Sequence, residues 1–310
     1  MVQSSAPGKA ILFGEHAVVY GEPAIAVPVT EVAATASVGP ASPSSGLTIV
    51  AADLGESFEL AAAPPEAPLA VAARLTLDHL ALSVPDAVLT VRSTIPIASG
   101  LGSGAAVSTA VVRALAAFVG AVLSPAEVSA LVYEVEKIHH GTPSGIDNTV
   151  IAYERPVYFV RGEPSRVALV SVGAPFQLVI ADTGLSSPTK RLVTRVSIAW
   201  RRHKAHYEAL FQRIGDVARE ACRRIETGDV VALGPLMDDN HALLAKLGVS
   251  SPTLDRLVEV ARSAGAMGAK LSGAGQGGNL LALVEAETAS GVSAALREAG
   301  AVRTIHTIVT

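Results

Sequence analysis

Apolar positions along the chain follow two rhythms. In the first half, AILFGEHAVVY (10–20), AIAVPVTEVAATASV (24–38), LTIVA (47–51) and SFEL (57–60) alternate or are rich in β-branched residues, which predicts strands. GPASPSSG (39–46) and AAAPPEAP (61–68) punctuate them as loops. A helix is expected over 69–82 and a strand over 87–95, followed by PIASGLGSGAAVS (96–108), which opens a helix of about 15 residues. SPAEVSALVYEVEKIHHG (124–141) predicts a second helix with marked ends. Ser124 is its N-cap, Pro125 its first residue, Glu127 the return partner, and Gly141 the left-handed stop.

The second half changes character. QLVIADTG (177–184) reads as a strand, and three or four helices follow between about 187 and 264. AMGAKLSGAGQGGNLLALVE (266–285) reads as strand, glycine loop and strand; a helix (286–298) and an alternating strand, VRTIHTIV (302–309), close the chain. No internal repeat or long tether is present. Mixed strands and helices without a strict βαβ rhythm predict an α+β fold. A composition shift near 165–175 divides the chain into expected domains at 1–170 and 171–310.

Composition narrows this picture. The 310 residues are 50% hydrophobic and only 4% aromatic, so the core must be built from Ala, Val, Leu and Ile. A net charge of −4 gives no electrostatic reason to expect nucleic acid or an anionic membrane as partner. An anionic ligand would have to be held locally by loops and helix ends. Cys222 is the single cysteine, so no intrachain disulfide forms, and its helical surroundings predict a small buried residue. The N-terminus lacks the pattern of a secretory signal, and Arg113 interrupts the longest apolar run (105–123). The expectation is a soluble, cytoplasmic protein.

Gly100, Gly102 and Gly104 stand at alternate positions where a helix begins. Backbone N–H groups at such a place point outward and the helix dipole favours an anion. A tight turn in a packed fold is the plainer reading. GLGSGA fits the loose dinucleotide pattern, but the acid that pattern needs about 20 residues on is missing, because Glu127 belongs to the next helix start. The pattern G-x-x-x-x-G-K-[ST] is absent. The loop is therefore a phosphate loop of another kind, or none.

Three further stretches bear on the choice: APGKAILFGEHAVVYG (6–21), KIHHGTPSGIDNTV (137–150), which reads as placing Asp147 in a Ser-Gly-Ile-Asp-Asn loop after a helix, and KLSGAGQGGNLLAL (270–283). Together with the first loop, and in this order, they resemble the motifs of the galactokinase–homoserine kinase–mevalonate kinase–phosphomevalonate kinase (GHMP) superfamily. The resemblance runs from about residue 6 to 285. Within the superfamily the chain is most similar to the mevalonate kinase family. Lys9 stands where galactokinases have arginine, HGTPSGIDN has the mevalonate kinase form, and ADTG…SPTK (181–190) is similar to a segment that supplies a substrate-side threonine, here Thr189.

That resemblance implies a two-domain fold: an N-terminal domain like ribosomal protein S5 domain 2 and a C-terminal ferredoxin-like α/β domain. It implies ATP-dependent phosphorylation of mevalonate at its 5-hydroxyl, with Mg²⁺. Phosphoryl transfer asks the protein mainly to hold phosphates, neutralise charge and position the hydroxyl. Asp147 is implied as the base and Lys9 as the cation that stabilises the developing alkoxide. The nucleotide would lie on Pro96, Ala98, Ser99, Gly100, Leu101, Gly102, Ser103, Gly104 and Ala105, with Gly273, Ala274 and Gly275 of the other glycine loop closing over the same phosphates. Glu136, eleven residues before Asp147, has the family's spacing for a magnesium carboxylate, with Ser103 as a second oxygen; Glu134 is the competing acid and faces elsewhere on the helix. Glu15, His16 and Thr189 are implied on the substrate side. His139 and His140 read as helix-end histidines favoured by the dipole, and the basic run 190–204 as a solvated helix face.

Two positions depart from the family. Gly104 replaces the second serine of Gly-Leu-Gly-Ser-Ser, and Gln276 interrupts the later glycine run, where a positive φ would strain it. A sister kinase acting on phosphomevalonate, a sugar or homoserine is the competing reading, and a nucleotide-binding regulator without turnover is another. A homodimer is left open.

Overall fold

The computed structural model describes residues 1–96, 99–140, 143–163, 165–186 and 189–310. Two compact units interleave along the chain. The first takes in Met1–Lys9, Val32–Ile97 and Leu101–Glu154; the second takes in Ala10–Glu31, Ala98–Gly100 and Arg155–Thr310. Two long strands, β1 (Val2–Phe13) and β2 (Pro23–Pro40), contribute residues to both.

In the first unit the chain continues through β3 (Leu47–Ala51), β4 (Glu56–Glu59), α1 (Pro68–His79) and β5 (Ala87–Ser93). The crossover makes β3 parallel to β5, with Leu47 opposite Ala87, while β4 folds back antiparallel on β3. Strand β5 runs antiparallel to the later part of β2, with Val91 opposite Ala36. Period-two alternation sets this register: Leu47 and Ile49, Leu89 and Val91, and Ala34, Ala36 and Val38 are buried, while Thr48, Thr90 and Thr35 between them are not. Helices α2 (Ser103–Phe118), α3 (Pro125–His140) and α4 (Ile146–Tyr153) complete the unit. Helix α2 is apolar nearly all round and is therefore central, packed on α1, α3, α4 and β5. Its alanines at 105, 106, 110 and 114 let these neighbours come close.

The start of α3 has the expected capping box. The Ser124 N–H donates to Glu127 Oε2 at 2.8 Å, and the Glu127 N–H donates to Ser124 Oγ at 3.3 Å. Gly141 lies outside the described residues. Helix α4 corrects the sequence reading, which left Asp147 in a loop. The segment holds β-branched Ile146, Thr149, Val150 and Ile151, which lower helix propensity, yet those side chains are buried and packing overrides propensity.

The second unit opens with a correction too. The strand expected over 10–20 stops at Phe13, because Gly14 turns at φ +92 and a Cβ there would stand 2.3 Å from Pro23 O. A short 3₁₀ turn over Ala17–Tyr20 follows. Strand β6 (Val157–Val160) pairs antiparallel with the early part of β2, and β7 (Arg166–Leu169) pairs with β6. Beyond them come β8 (Phe176–Asp182), α5 (Thr189–Arg202), α6 (Lys204–Thr227), α7 (Leu233–Lys246), α8 (Pro252–Ser263), β9 (Gly268–Ser272), β10 (Asn279–Val284), α9 (Ala286–Glu298) and β11 (Arg303–Val309). The strands form an antiparallel sheet in the order β11-β8-β10-β9, with Leu281 opposite Ile180 and Lys270. A core of mostly aliphatic side chains from this sheet and from α5 to α9, with Phe211 among them, fills the unit. The arrangement is the α+β class that the element order predicts. Among the described residues, no helix is long and apolar enough to cross a membrane.

Candidate active site

In the first unit, strand β1 delivers Lys9 and its backbone N–H donates to Leu101 O at 2.9 Å. The lysine stem then runs under the first glycine loop. A Cβ at Gly102 would lie 2.8 Å from Lys9 Cγ and 3.0 Å from Ile151 Cδ1, and Gly102 itself is left-handed at φ +76. Glycine is thus required there by both space and conformation. The Lys9 Nζ reaches Asp147 Oδ2 at 3.1 Å. Lysine and aspartate differ in access: the Lys9 side chain is 6% exposed and that of Asp147 is 31%, so the carboxylate stays reachable by a ligand.

Asp147 stands in the first turn of α4, after Gly145 at φ +89, where the helix dipole favours a negative charge. Helix α4 is fixed to α3 by Asn148 Nδ2, which donates to Ser129 O at 3.0 Å and to Ser129 Oγ at 2.9 Å. Glu136, on α3, is buried, whereas Glu134 is exposed and accepts from Lys137 Nζ at 2.6 Å. Burial, and then the charge of Asp147, push the Glu136 carboxyl up to about 7, against the pull of Lys9. A Cβ at Gly104 would lie 3.2 Å from Glu136 Oε1, so the missing serine leaves room beside this carboxylate.

Among the described residues, no three His, Cys, Asp or Glu cluster at metal-ligand distance. Mg²⁺ seldom needs such a cluster, since one or two carboxylates with water and phosphate oxygens suffice. A buried carboxyl raised by a second negative group fits that demand, because a divalent cation would relieve the excess charge. Helix α2 begins at Ser103 with Gly102 at its N-cap, a residue that has no side chain to cap it, so its first backbone N–H groups suit an anion. Leu101 and Ala105 on either side are buried supports. Ala98 lies outside the described residues, as do the side chains of His139 and His140.

The second unit holds the other expected residues. Glu15 is 1% exposed, and both its oxygens are engaged: Oε1 pairs closely with Lys270 Nζ, and Oε2 accepts from Asn240 Nδ2 at 3.0 Å. Lys270 is fully buried and also donates to Leu271 O at 2.7 Å. Burial pulls its pKa down, opposed by Glu15. Sequence reasoning passed over Lys270 and Asn240, although Lys270 opens the KLSGAGQGG motif.

His16 Nε2 lies 2.9 Å from Ala274 O. A carbonyl only accepts, so Nε2 carries the proton. Burial, and after it the charge of Arg195, lower the His16 pKa, while the bond to Ala274 raises it. In the neutral ring Nδ1 is an acceptor. The loop that supplies Ala274 is shaped by position-specific glycines: Gly273 has open space above it, whereas a Cβ at Gly275 would meet Val249 O at 2.0 Å. Gln276 takes the left-handed conformation, φ +55, foreseen as strained. Asn279 Nδ2 donates to Ser99 O at 2.6 Å, and Gly100 beside it turns at φ +83. Pro96, just before the undescribed pair 97–98, is partly exposed. Thr189 is the first residue of α5; Ser187 and Pro188, read with it, lie outside the described residues. The segment before it is laced to the glycine loop, for Thr183 donates to Gly278 O through both N–H and Oγ1 at 2.9 Å. Cys222 is half-buried rather than buried as expected, and that burial raises its thiol to about 11.

Comparison with known proteins gives a consistent result. Residues 68–155 match the family model "GHMP kinases N terminal domain" and residues 218–302 match "GHMP kinases C terminal". The mevalonate kinase of Thermococcus sibiricus is 34% identical over 329 aligned positions, covering 96% of this chain and 93% of that protein. That of Pyrococcus abyssi is 35% identical, covering 97% and 93%. The structure of L. major mevalonate kinase in complex with R-mevalonate aligns with a TM-score of 0.85 at 27% identity, over 100% of this chain and 96% of that one. Streptococcus pneumoniae phosphomevalonate kinase shares the fold, with a TM-score of 0.84 at 18% identity over 99% of this chain and 100% of that one.

Proposed function

The chain belongs to the GHMP kinase family, and we propose that it transfers the γ-phosphoryl group of ATP to the 5-hydroxyl of mevalonate, giving 5-phosphomevalonate and ADP. The observation that carries the reading is the Lys9–Asp147 pair at 3.1 Å, with the first glycine loop packed on the lysine stem. The likeness to mevalonate kinases along nearly the whole chain supplies the substrate.

Asp147 accepts the hydroxyl proton as the oxygen attacks the γ-phosphorus and the bond to ADP breaks. Lys9 offsets the charge that develops on the attacking oxygen. Glu136, with Ser103, would hold Mg²⁺, which supplies charge neutralisation for the phosphates. The N–H groups that open α2 bind phosphate oxygens. In the second unit, taken by itself, the open backbone at Gly273 also suits an anion. His16 accepts a substrate hydroxyl through Nδ1, and Thr189 lies on the substrate side. Glu15 acts one step removed, as the counter-ion that keeps Lys270 in place.

The test is ADP release with Mg-ATP and mevalonate, run beside phosphomevalonate, galactose and homoserine. Turnover with mevalonate alone, on the order of 1–100 s⁻¹, is expected. Turnover with one of the other three and none with mevalonate would replace this reading by a sister kinase.

A further inference from the structure

Gln276 breaks the glycine run, and its side chain does not hang free. With the amide oxygen turned toward α5, Gln276 Oε1 accepts from both Nη1 and Nη2 of Arg195 at 2.8 Å. Arg195 Nη2 also donates to Gly248 O in the turn after α7. The neighbouring Val249 O accepts the Gln276 N–H at 2.9 Å and leaves no room for a side chain at Gly275. One guanidinium thus holds the turn at 248–249 and the loop at 273–278 together. The same loop carries the carbonyl that orients His16, and α5, which carries Arg195, begins at Thr189.

We propose that Arg195 is a positioning residue for the phosphoryl transfer: through Gln276 it holds the second glycine loop in its phosphate-receiving shape and ties that loop to the helix that starts at Thr189. The inference rests on the kinase reading above. A run of glycines loses much freedom when it closes on a ligand. A glutamine already in the left-handed conformation, pinned by a forked charge-assisted hydrogen bond, has lost that freedom before ATP arrives. The brace should therefore appear in the KM for ATP, with kcat little changed.

The experiment compares wild type with Arg195→Met, Arg195→Lys, Gln276→Gly and the Arg195→Met/Gln276→Gly double variant, measuring kcat and both KM values. Loss of this bond should raise the KM for ATP roughly 3- to 10-fold and leave kcat within about twofold. Lysine should not rescue, since it lacks the fork. The double variant should match Arg195→Met, because the pair acts as a unit. Hydrogen exchange at 273–278 in the ligand-free enzyme should accelerate in Arg195→Met, a readout that needs no substrate. An unchanged KM for ATP with unchanged exchange would overturn the proposal, as would single effects that multiply in the double variant. If wild type phosphorylates no hydroxy acid yet exchange still accelerates, the kinase reading fails and the brace stands. If mevalonate is phosphorylated and neither KM nor exchange responds, the brace fails alone.

Discussion

Lys9 Nζ and Asp147 Oδ2 stand 3.1 Å apart, brought together by a strand at the start of the chain and a short helix in its middle. The lysine is almost wholly buried and the aspartate partly open, so the cation faces the carboxylate from the protein side and a ligand can approach from the other. This asymmetry suits a base that must receive a proton from a substrate hydroxyl while a fixed charge waits for the oxygen left behind.

Replacing Lys9 by Met should lower turnover by roughly 10²–10³-fold, the size expected when one fixed charge-stabilising donor is lost. Nucleotide affinity should change little. Stopped-flow turnover beside ADP titration calorimetry separates the two effects.

Gly102→Ala tests the packing beneath the loop. The added methyl must displace the Lys9 stem and enter a left-handed conformation, so a stability loss of about 1–3 kcal/mol is expected together with reduced turnover. Thermal unfolding and kcat measure both. Gly104→Ala should be mild in stability but weaken the Mg²⁺ response, since its Cβ would crowd Glu136 Oε1.

Glu136→Gln should raise the Mg²⁺ concentration needed for half-maximal rate, and Glu134→Gln should not. The two acids lie two positions apart on α3, but one is buried and the other is spent on Lys137. A metal titration of both variants decides the register.

The same carboxyl gives a pH prediction for the metal-free protein. Its pKa rises from 4.5 to about 7 on folding, so between these values the folded state binds more protons than the unfolded one. Its contribution to stability is full below about pH 4.5 and is lost as pH rises through about 7. Glu136→Gln removes that loss. Its Tm relative to wild type should therefore be higher at pH 8 than at pH 5, by roughly a few degrees. Calorimetric scans at the two pH values, in chelator, check the sign.

Glu15→Gln should strand the buried charge of Lys270 and cost about 3–5 kcal/mol. Adding Lys270→Met should recover part of that loss, and denaturant unfolding of the single and double variants measures it.

Much of the frame was legible in the sequence because it rests on short-range signals. The Ser124–Glu127 box fixed the start of α3, and the alternation in LTIVA and VRTIHTIV gave β3 and β11. The glycine loops were visible because glycine is required at particular positions, as Gly102 and Gly275 show. What stayed hidden is long-range. Helix α4 was read as a loop because its β-branched residues become helical only through burial. Lys270 lies within a motif visible in the sequence, but its burial is not, since its partner Glu15 comes from the other end of the chain. Arg195 sat in a basic run that looked like solvated surface; only folding places Gln276 opposite it.

The most direct test of the account compares wild type and Asp147→Asn at saturating Mg-ATP and mevalonate, with nucleotide affinity measured alongside. The account predicts 5-phosphomevalonate formation by wild type and a loss of roughly 10²–10⁴-fold in the variant, with ADP binding intact. Near-wild-type turnover by Asp147→Asn would contradict it, and the proton would then have to leave the hydroxyl by a route that does not use the Lys9–Asp147 pair.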